Sequence, residues 1–232
     1  MTNILLTGSS RGIGAAVAAT LMRESGVRLA GHGTASGVAA DFADPAGPRT
    51  LWDRALAKLG TIDVLVNNAG VFEANSIDRD DASWLADWER TMRINLTASA
   101  ALCRLAVCHW RERGAPGRIV NVASRAAYRG DSRDHWHYAA SKAGMVAMTK
   151  TIARGYASAG ILAFAVCPGF TMTGMAEDYL ASRGGDQLLA DIPLGRVAEP
   201  GEVANAIAYL ALSAPPSMTG AVIDVNGASY VR

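Results

Sequence analysis

This sequence lacks a surplus of charge of either sign. Its 22 basic and 21 acidic residues leave a net charge of +1 over 232 residues, so there is no general electrostatic pull toward nucleic acid or an acidic membrane surface. Small molecules or proteins are the expected partners. Cysteine is scarce as well: Cys103, Cys108 and Cys167 are odd in number and lack metal-ligand spacing. They are expected to be buried thiols acting as small hydrophobes. No uninterrupted apolar segment is long enough to span a bilayer. Met1 to Thr7 enters an apolar run directly, without a basic leader or a cleavage site. The expectation is a soluble, cytoplasmic protein with no membrane or nucleic-acid partner, in which the Asn95-Leu96-Thr97 sequon is an empty match. Repeats and low-complexity linkers are also missing. With 50% hydrophobic residues, the chain suits a single domain spanning 1–232.

What is present is an alternation of strand-length apolar runs with helical patterns, the pattern of βαβ units and a parallel sheet. Seven strands are expected: Ile4 to Thr7, Val27 to Ala30, Val38 to Ala40, Ile62 to Val66, Arg118 to Val122, Ile161 to Val166 and Ala221 to Val225. Helices should follow the first strand and cover about Arg49 to Leu59, Asp81 to Arg113, a stretch from Tyr138, and Pro200 to Leu212. Such an order describes a doubly wound sheet with helices on both faces. A parallel crossover needs a dozen or more residues, yet only about seven separate the second and third strands. The helix between them is therefore expected to be missing, replaced by a short loop and leaving an edge exposed or covered by a partner subunit.

Two features carry chemistry. Between the first strand and its helix stand Gly8, Gly12 and Gly14. A glycine turn there allows close backbone approach and aims N–H groups and a positive helix end at a diphosphate. Further on, Tyr138-Ala139-Ala140-Ser141-Lys142 sets a phenol and an ammonium four residues apart, on one face of a helix. A free phenol titrates near pH 10, and a neighbouring cation lowers that value, which suits an acid/base tyrosine.

Thr7-Gly8-Ser9-Ser10-Arg11-Gly12-Ile13-Gly14, Asn67-Asn68-Ala69-Gly70, Asn95, Ser124, Tyr138 with Lys142, and Pro168-Gly169-Phe170-Thr171-Met172-Thr173 occur in this order along nearly the whole chain, to Asp224-Val225-Asn226-Gly227. The set resembles the short-chain dehydrogenase/reductase superfamily, in its single-domain branch. In general appearance it is most similar to the β-ketoacyl-acyl-carrier-protein reductases. The resemblance implies a catalytic set of Asn95, Ser124, Tyr138 and Lys142. Tyr138 would exchange a proton with the substrate oxygen while a nicotinamide exchanges hydride with its carbon. Ser124 would orient that oxygen, Lys142 would lower the tyrosine pKa and bind ribose hydroxyls, and Asn95 would hold a water leading from Lys142. It also implies cofactor contacts from Gly8, Ser10, Arg11, Gly12, Ile13, Gly14, Asn68, Ala69, Gly70, Tyr138, Lys142, Pro168, Gly169, Thr171 and Thr173. Asn67 and Asn68 are expected to tie the central sheet together. Asp41, with Phe42 beside it, reads either as the residue meeting the adenine amino group, as the resemblance implies, or as a plain helix cap or turn residue.

After the second strand comes Gly31-His32-Gly33-Thr34-Ala35-Ser36, without the carboxylate that usually holds a ribose 2′-hydroxyl, while Arg11 puts positive charge in the glycine turn. NADP(H) is favoured over NAD(H), and His32, Thr34 and Ser36 are left without firm roles. The resemblance also implies that Arg125 to His137 lies at the mouth of the substrate pocket. His135 and His137 fall short of a metal site, and none is expected. Thr173 to Pro193, with Gly174, Gly184 and Gly185, reads as a lid or an ordinary surface excursion. Trp84, Trp88, Trp110 and Trp136 are expected in the core or at an interface. The expected activity is interconversion of a ketone and a secondary alcohol, the substrate being a small-molecule or acyl-thioester carbonyl. The resemblance also implies a homotetramer or homodimer. An alternative is a cofactor-binding regulatory or structural subunit without turnover, since fold alone does not establish activity.

Overall fold

The structure, a computed structural model, describes residues 1–173 and 189–232. In chain order the elements are β1 (Thr2–Leu6), α1 (Gly12–Leu21), β2 (Val27–Gly31), α2 (Gly47–Leu59), β3 (Val64–Asn67), α3 (Asp81–Met92), a π-helical turn (Arg93–Thr97), α4 (Ala98–Arg113), β4 (Gly117–Val122), α5 (Ala126–Arg129), α6 (Trp136–Tyr156), β5 (Ile161–Pro168), α7 (Pro200–Leu212) and β6 (Val222–Val225). The strands lie in the order β2-β1-β3-β4-β5-β6, all parallel. β2 lies on one side of β1 and β3 on the other, so the winding reverses there. A crevice opens at the carboxyl ends of β1 and β3, where sheets of this kind bind ligands.

The strands are buried on both faces, as parallel strands between helices must be. Side chains alternate along a strand. Ile4, Leu6, Val64, Val66, Val120, Val122, Leu162, Phe164 and Val166 therefore pack in one cluster with α1 and α7. Their neighbours Leu5, Leu65, Ile119 and Ala163 face the opposite cluster, built with α2, α4 and α6. Arg118 on β4 donates from its guanidinium to the carbonyls of Leu210 and Ala214, 3.1 and 2.8 Å away, closing the carboxyl end of α7.

The doubly wound parallel architecture is as expected, with one difference. Among the described residues the sheet has six strands, because Val38 to Ala40 does not pair as a strand. No helix forms between Gly31 and Val38 either. The chain turns back at once: the N–H of Gly33 bonds the carbonyl of Ser36, and that of Val38 bonds the carbonyl of Gly31. Val38, Ala40 and Phe42 then sink into the cluster containing Leu5, Ala30 and Leu51. Apolar side chains from a loop thus fill the space beneath α2, with no strand to deliver them. The long helical region expected from Asp81 to Arg113 is present as α3, the π-helical turn and α4 in continuous succession.

Gly117 shows how closely this core is filled. The buried Trp110 donates its indole N–H to the carbonyl of Ile62 at 2.7 Å. That pins its ring over the start of β4, where a Cβ on Gly117 would come within 2.0 Å of it. Gly117→Ala should cost about 2–3 kcal/mol of stability, the upper range for overpacking a core. Urea denaturation monitored by tryptophan fluorescence checks this; an unchanged midpoint would mean that the ring moves aside freely.

Candidate active site

At the crevice, the ends of β1 and β3 are bound to each other by side chains. The Thr7 hydroxyl accepts the backbone N–H groups of Asn68 and Ala69, both at 2.9 Å. The Asn68 amide donates in return to the carbonyls of Thr7 and Gly8 at 3.1 and 2.9 Å. One strand further, Asn67 donates to the Asn121 side chain at 2.8 Å, so the expected tie across the central sheet is present. The glycine turn is seated on this frame. Gly8 has φ +65° and Gly12 has φ +54°, a region that glycine adopts without a Cβ penalty. A Cβ on Gly8 would meet the Ala69 Cα at 2.8 Å, and one on Gly14 would meet the Gly8 carbonyl oxygen at 1.8 Å. α1 begins with no side-chain cap and no acidic residue in its first turn. The first amides of a helix lack intrahelical acceptors, and among the described residues no side chain caps them.

Gly8 has a further support that sequence reasoning missed. His32, 3% exposed, lies just beyond β2. Its Nδ1 accepts the Gly8 N–H at 3.2 Å, and its Nε2 faces the Ala40 carbonyl at 3.0 Å. These partners require a neutral ring with its proton on Nε2, and burial lowers the His32 pKa below its ordinary value, outweighing the Ala40 carbonyl and Asp41. Phe42 is stacked on the ring, 4.5 Å between centroids, and its buried side chain is a packing element. Asp41 is exposed, and its carboxylate accepts the N–H of Ala43 at 2.9 Å, the turn arrangement anticipated as one of its two readings. The available signal for His32 was a histidine between glycines at a strand end.

The other candidates lie at the neighbouring strand ends. The π-helical turn places the fully buried Asn95 against the loop after β3. Its Oδ1 accepts the Val71 N–H at 2.8 Å, and its Nδ2 donates to the Val71 carbonyl at 3.0 Å and to Ser141 Oγ at 3.3 Å. A buried amide used on both sides cannot carry a glycan. A Cβ on Gly70 would lie 3.3 Å from Asn95 Oδ1 and 3.5 Å from Lys142 Nζ, so these groups converge. Ser124, buried past the end of β4, accepts the Ala126 N–H at 3.1 Å and acts on Tyr138 as a hydrogen-bond partner. Phe72 stands edge-on to the Tyr138 ring at 4.8 Å and is stacked on His135 at 3.9 Å.

The electrostatics differ from the expected picture of a phenol lowered by its lysine. Lys142 Nζ lies 5.7 Å from the Tyr138 ring centroid and donates to the Val122 carbonyl at 2.9 Å. Burial pushes Tyr138 up to about 12, with Ser124 pulling the other way. Burial also pushes Lys142 down to about 8. Helical spacing brings the ammonium beside the ring, but the net shift of the phenol is upward, by desolvation, and so away from the phenolate.

Pro168 ends β5, and a Cβ on Gly169 would meet Asn226 at 2.8 Å. Thr171 is buried, its hydroxyl donating to the Gly169 carbonyl at 3.2 Å. Thr173 reaches the glycine turn, since a Cβ on Gly12 would lie 3.1 Å from its methyl. Arg11 and Ser10 are exposed at the same corner, with Thr34 and Ser36 exposed across the turn after β2. The lid reading of Thr173 to Pro193 falls mostly outside the described residues. Cys103 and Cys167 are buried and Cys108 half-buried, all free. Trp110 is in the core, whereas Trp136 is exposed and meets Trp84, itself stacked on Trp88. Among the described residues no group of three or more His, Cys, Asp or Glu could hold a metal ion, and no helix is long and apolar enough to cross a membrane.

A glycine turn at the switch point of a parallel sheet, with Ser, Tyr and Lys at the adjoining strand ends, defines a Rossmann-type oxidoreductase. The chain belongs to the short-chain dehydrogenase/reductase family: residues 10–228 match the family described as enoyl-(acyl carrier protein) reductase. It is 34% identical to the 3-oxoacyl-(acyl-carrier-protein) reductase FabG of Vibrio cholerae, over 98% of this chain and 96% of that protein. It is 37% identical to the cis-4-hydroxycyclohexanecarboxylate dehydrogenase of Sinomonas cyclohexanicum, over 96% and 94% of the two chains. A candidate 2-deoxy-d-gluconate 3-dehydrogenase of Agrobacterium tumefaciens, solved with bound NADP, superposes with a TM-score of 0.87 at 26% identity, covering 100% of this chain and 97% of that one.

The neutral His32 under Gly8 makes a pH prediction. A histidine whose folded pKa lies below its unfolded value favours the folded state fully above the unfolded pKa, and that contribution is lost as pH falls. Stability should therefore decline as pH drops below about 6.5, and His32→Gln should flatten part of the decline. Thermal melts from pH 7.5 to 5 check it; equal slopes in both proteins would contradict the assignment.

Proposed function

We propose that this chain is an NADP(H)-dependent ketoreductase, interconverting a ketone and a secondary alcohol, with Tyr138 as the acid/base group. The observation that carries the reading is the half-buried Tyr138 close to Ser124 and to Lys142, at the strand ends adjoining the glycine turn. The uncapped start of α1, together with glycines whose added Cβ atoms would collide with their own frame, fits a dinucleotide diphosphate. The bound cofactor supplies the hydride that moves to or from the carbonyl carbon. Gly8, Gly12, Ile13 and Gly14 would hold its diphosphate, and Asn68, Ala69, Gly70, Pro168, Gly169, Thr171 and Thr173 would line its path. Lys142, an ammonium at neutral pH with its value near 8, would hold ribose hydroxyls.

For reduction the proton must come from the protein. A protonated phenol is the form that donates, and the upward shift of Tyr138 keeps it in that form, while Ser124 would hold the same oxygen. Asn95 would fix the loop after β3 and keep Ser141, beside Lys142, in place. Relatives named for 3-oxoacyl, hydroxycyclohexanecarboxylate and deoxygluconate compounds support a carbonyl or hydroxyl substrate, either a small molecule or an acyl thioester. One domain over 1–232, assembled as a homotetramer or homodimer, belongs to the same proposal.

NADP(H) is preferred on the chemistry of the corner beyond β2. It offers the Arg11 cation and the hydroxyls of Ser10, Thr34 and Ser36, all exposed, whereas His32 is committed to Gly8 and Ala40. A 2′-phosphate is matched by such donors, and a ribose 2′-hydroxyl normally meets a carboxylate. The kcat/KM for NADPH should exceed that for NADH at least tenfold, and Arg11→Ala should narrow the gap; equal use of the two by the intact protein would overturn the preference.

Tyr138→Phe removes the proton donor and leaves the ring. Turnover should fall by roughly 10²–10⁴-fold, the usual worth of positioned acid/base catalysis. NADPH binding, followed by the change in its fluorescence, should be largely retained. Retained turnover would refute the mechanism, and absence of turnover in the unaltered protein across β-ketoacyl thioesters, ketosteroids, quinones and sugar ketones would favour a binding subunit.

A further inference from the structure

Arg125, immediately after Ser124, is 8% exposed. Its backbone N–H bonds the carbonyl of Pro168 at the end of β5, and its guanidinium lies over the Phe170 ring, 4.8 Å from Cζ to the centroid. The side chain therefore sits between the strand ends that carry Ser124 and Thr171. Its charge is poorly matched there. The nearest carboxylate oxygen, Asp191 Oδ2, is 3.6 Å from one terminal nitrogen, too long for a hydrogen bond. Arg129 already holds that oxygen at 2.6 Å. The same nitrogen of Arg125 is buried with no hydrogen-bond partner among the described residues. Two guanidiniums thus share one half-exposed carboxylate, and Asp131 adds only a more distant, exposed negative charge. Buried charges in proteins are normally paired and hydrogen-bonded, and an arginine fork suits a carboxylate held through two parallel bonds.

We infer that Arg125 binds a carboxylate carried by the substrate, so that the carbonyl compound taken at this site is a keto acid. The inference rests on the ketoreductase reading and narrows it. Arg125 carries a positive charge that Asp191, already held by Arg129, does not engage by a hydrogen bond, which suits a carboxylate, and the Phe170 ring lies against one side of the guanidinium.

The test compares each acid with its own methyl ester, using 4-oxocyclohexanecarboxylate and levulinate with NADPH as the cofactor. The unaltered protein should favour acid over ester at least tenfold in kcat/KM. Arg125→Met and Arg125→Gln should bring the ratio near one, and Arg125→Lys should keep part of it. A role confined to packing or to anchoring Asp191 would lower both activities and leave the ratio alone. Calorimetry with the same acids, in the presence of NADP+ and so without turnover, should show binding that is lost in Arg125→Met. A ratio near one in the unaltered protein, or one unchanged by the substitutions, overturns the carboxylate assignment. Acid binding without turnover of any acid or ester would instead sink the ketoreductase reading and leave the anion site standing.

Discussion

The join between β1 and β3 is the contact on which the rest of the structure depends. Winding reverses at this pair of strands, so their carboxyl ends separate into a crevice. Left to themselves, the turn after β1 and the loop after β3 would each need partners for their backbone groups. Thr7 and Asn68 provide these reciprocally, one hydroxyl accepting two amides and one side-chain amide serving two carbonyls. With that frame in place, Gly8 can take a left-handed turn, α1 can begin without a cap, and Asn95 can grip the continuing chain at Val71.

Desolvation then sets the chemistry. The site lies where elements from several strand ends close on one another, and each ionisable group inside is moved toward its neutral form. Tyr138 is raised and Lys142 lowered for the same reason, and His32 is kept neutral by what it must hydrogen-bond. Arg125 is the exception, because a guanidinium keeps its charge when buried. The fold thus supplies a phenol that keeps its proton, an amine close to neutrality, and one persistent cation beside the serine.

Much of this was legible beforehand. Strands buried on both faces read as apolar runs whatever their neighbours, and a glycine turn between strand and helix has few other uses. The helix Pro200–Leu212 was anticipated to the residue, and the structure shows it starting at its proline with a Glu199–Glu202 capping pair, signals that lie within the local chain. Val38 to Ala40 misled for the same local reason. Three small apolar residues look like an edge strand, but whether they pair depends on chain to either side, and here the return at Gly33 and Ser36 is too tight to lay them along β2. The π-helical turn at Asn95 was invisible because the groups Asn95 bonds there, Val71 and Ser141, come from the loop after β3 and from α6.

The residue types at the site, their order, and the helical spacing that puts Tyr138 and Lys142 on one face follow from the sequence by itself, since they depend on covalent order and backbone periodicity. Only the tertiary structure decided the direction of the Tyr138 pKa shift, the commitment of His32 to Gly8, and the unmatched charge of Arg125. Each of these depends on how much water has been excluded and on which distant groups remain to replace it, and no local stretch of chain contains that information.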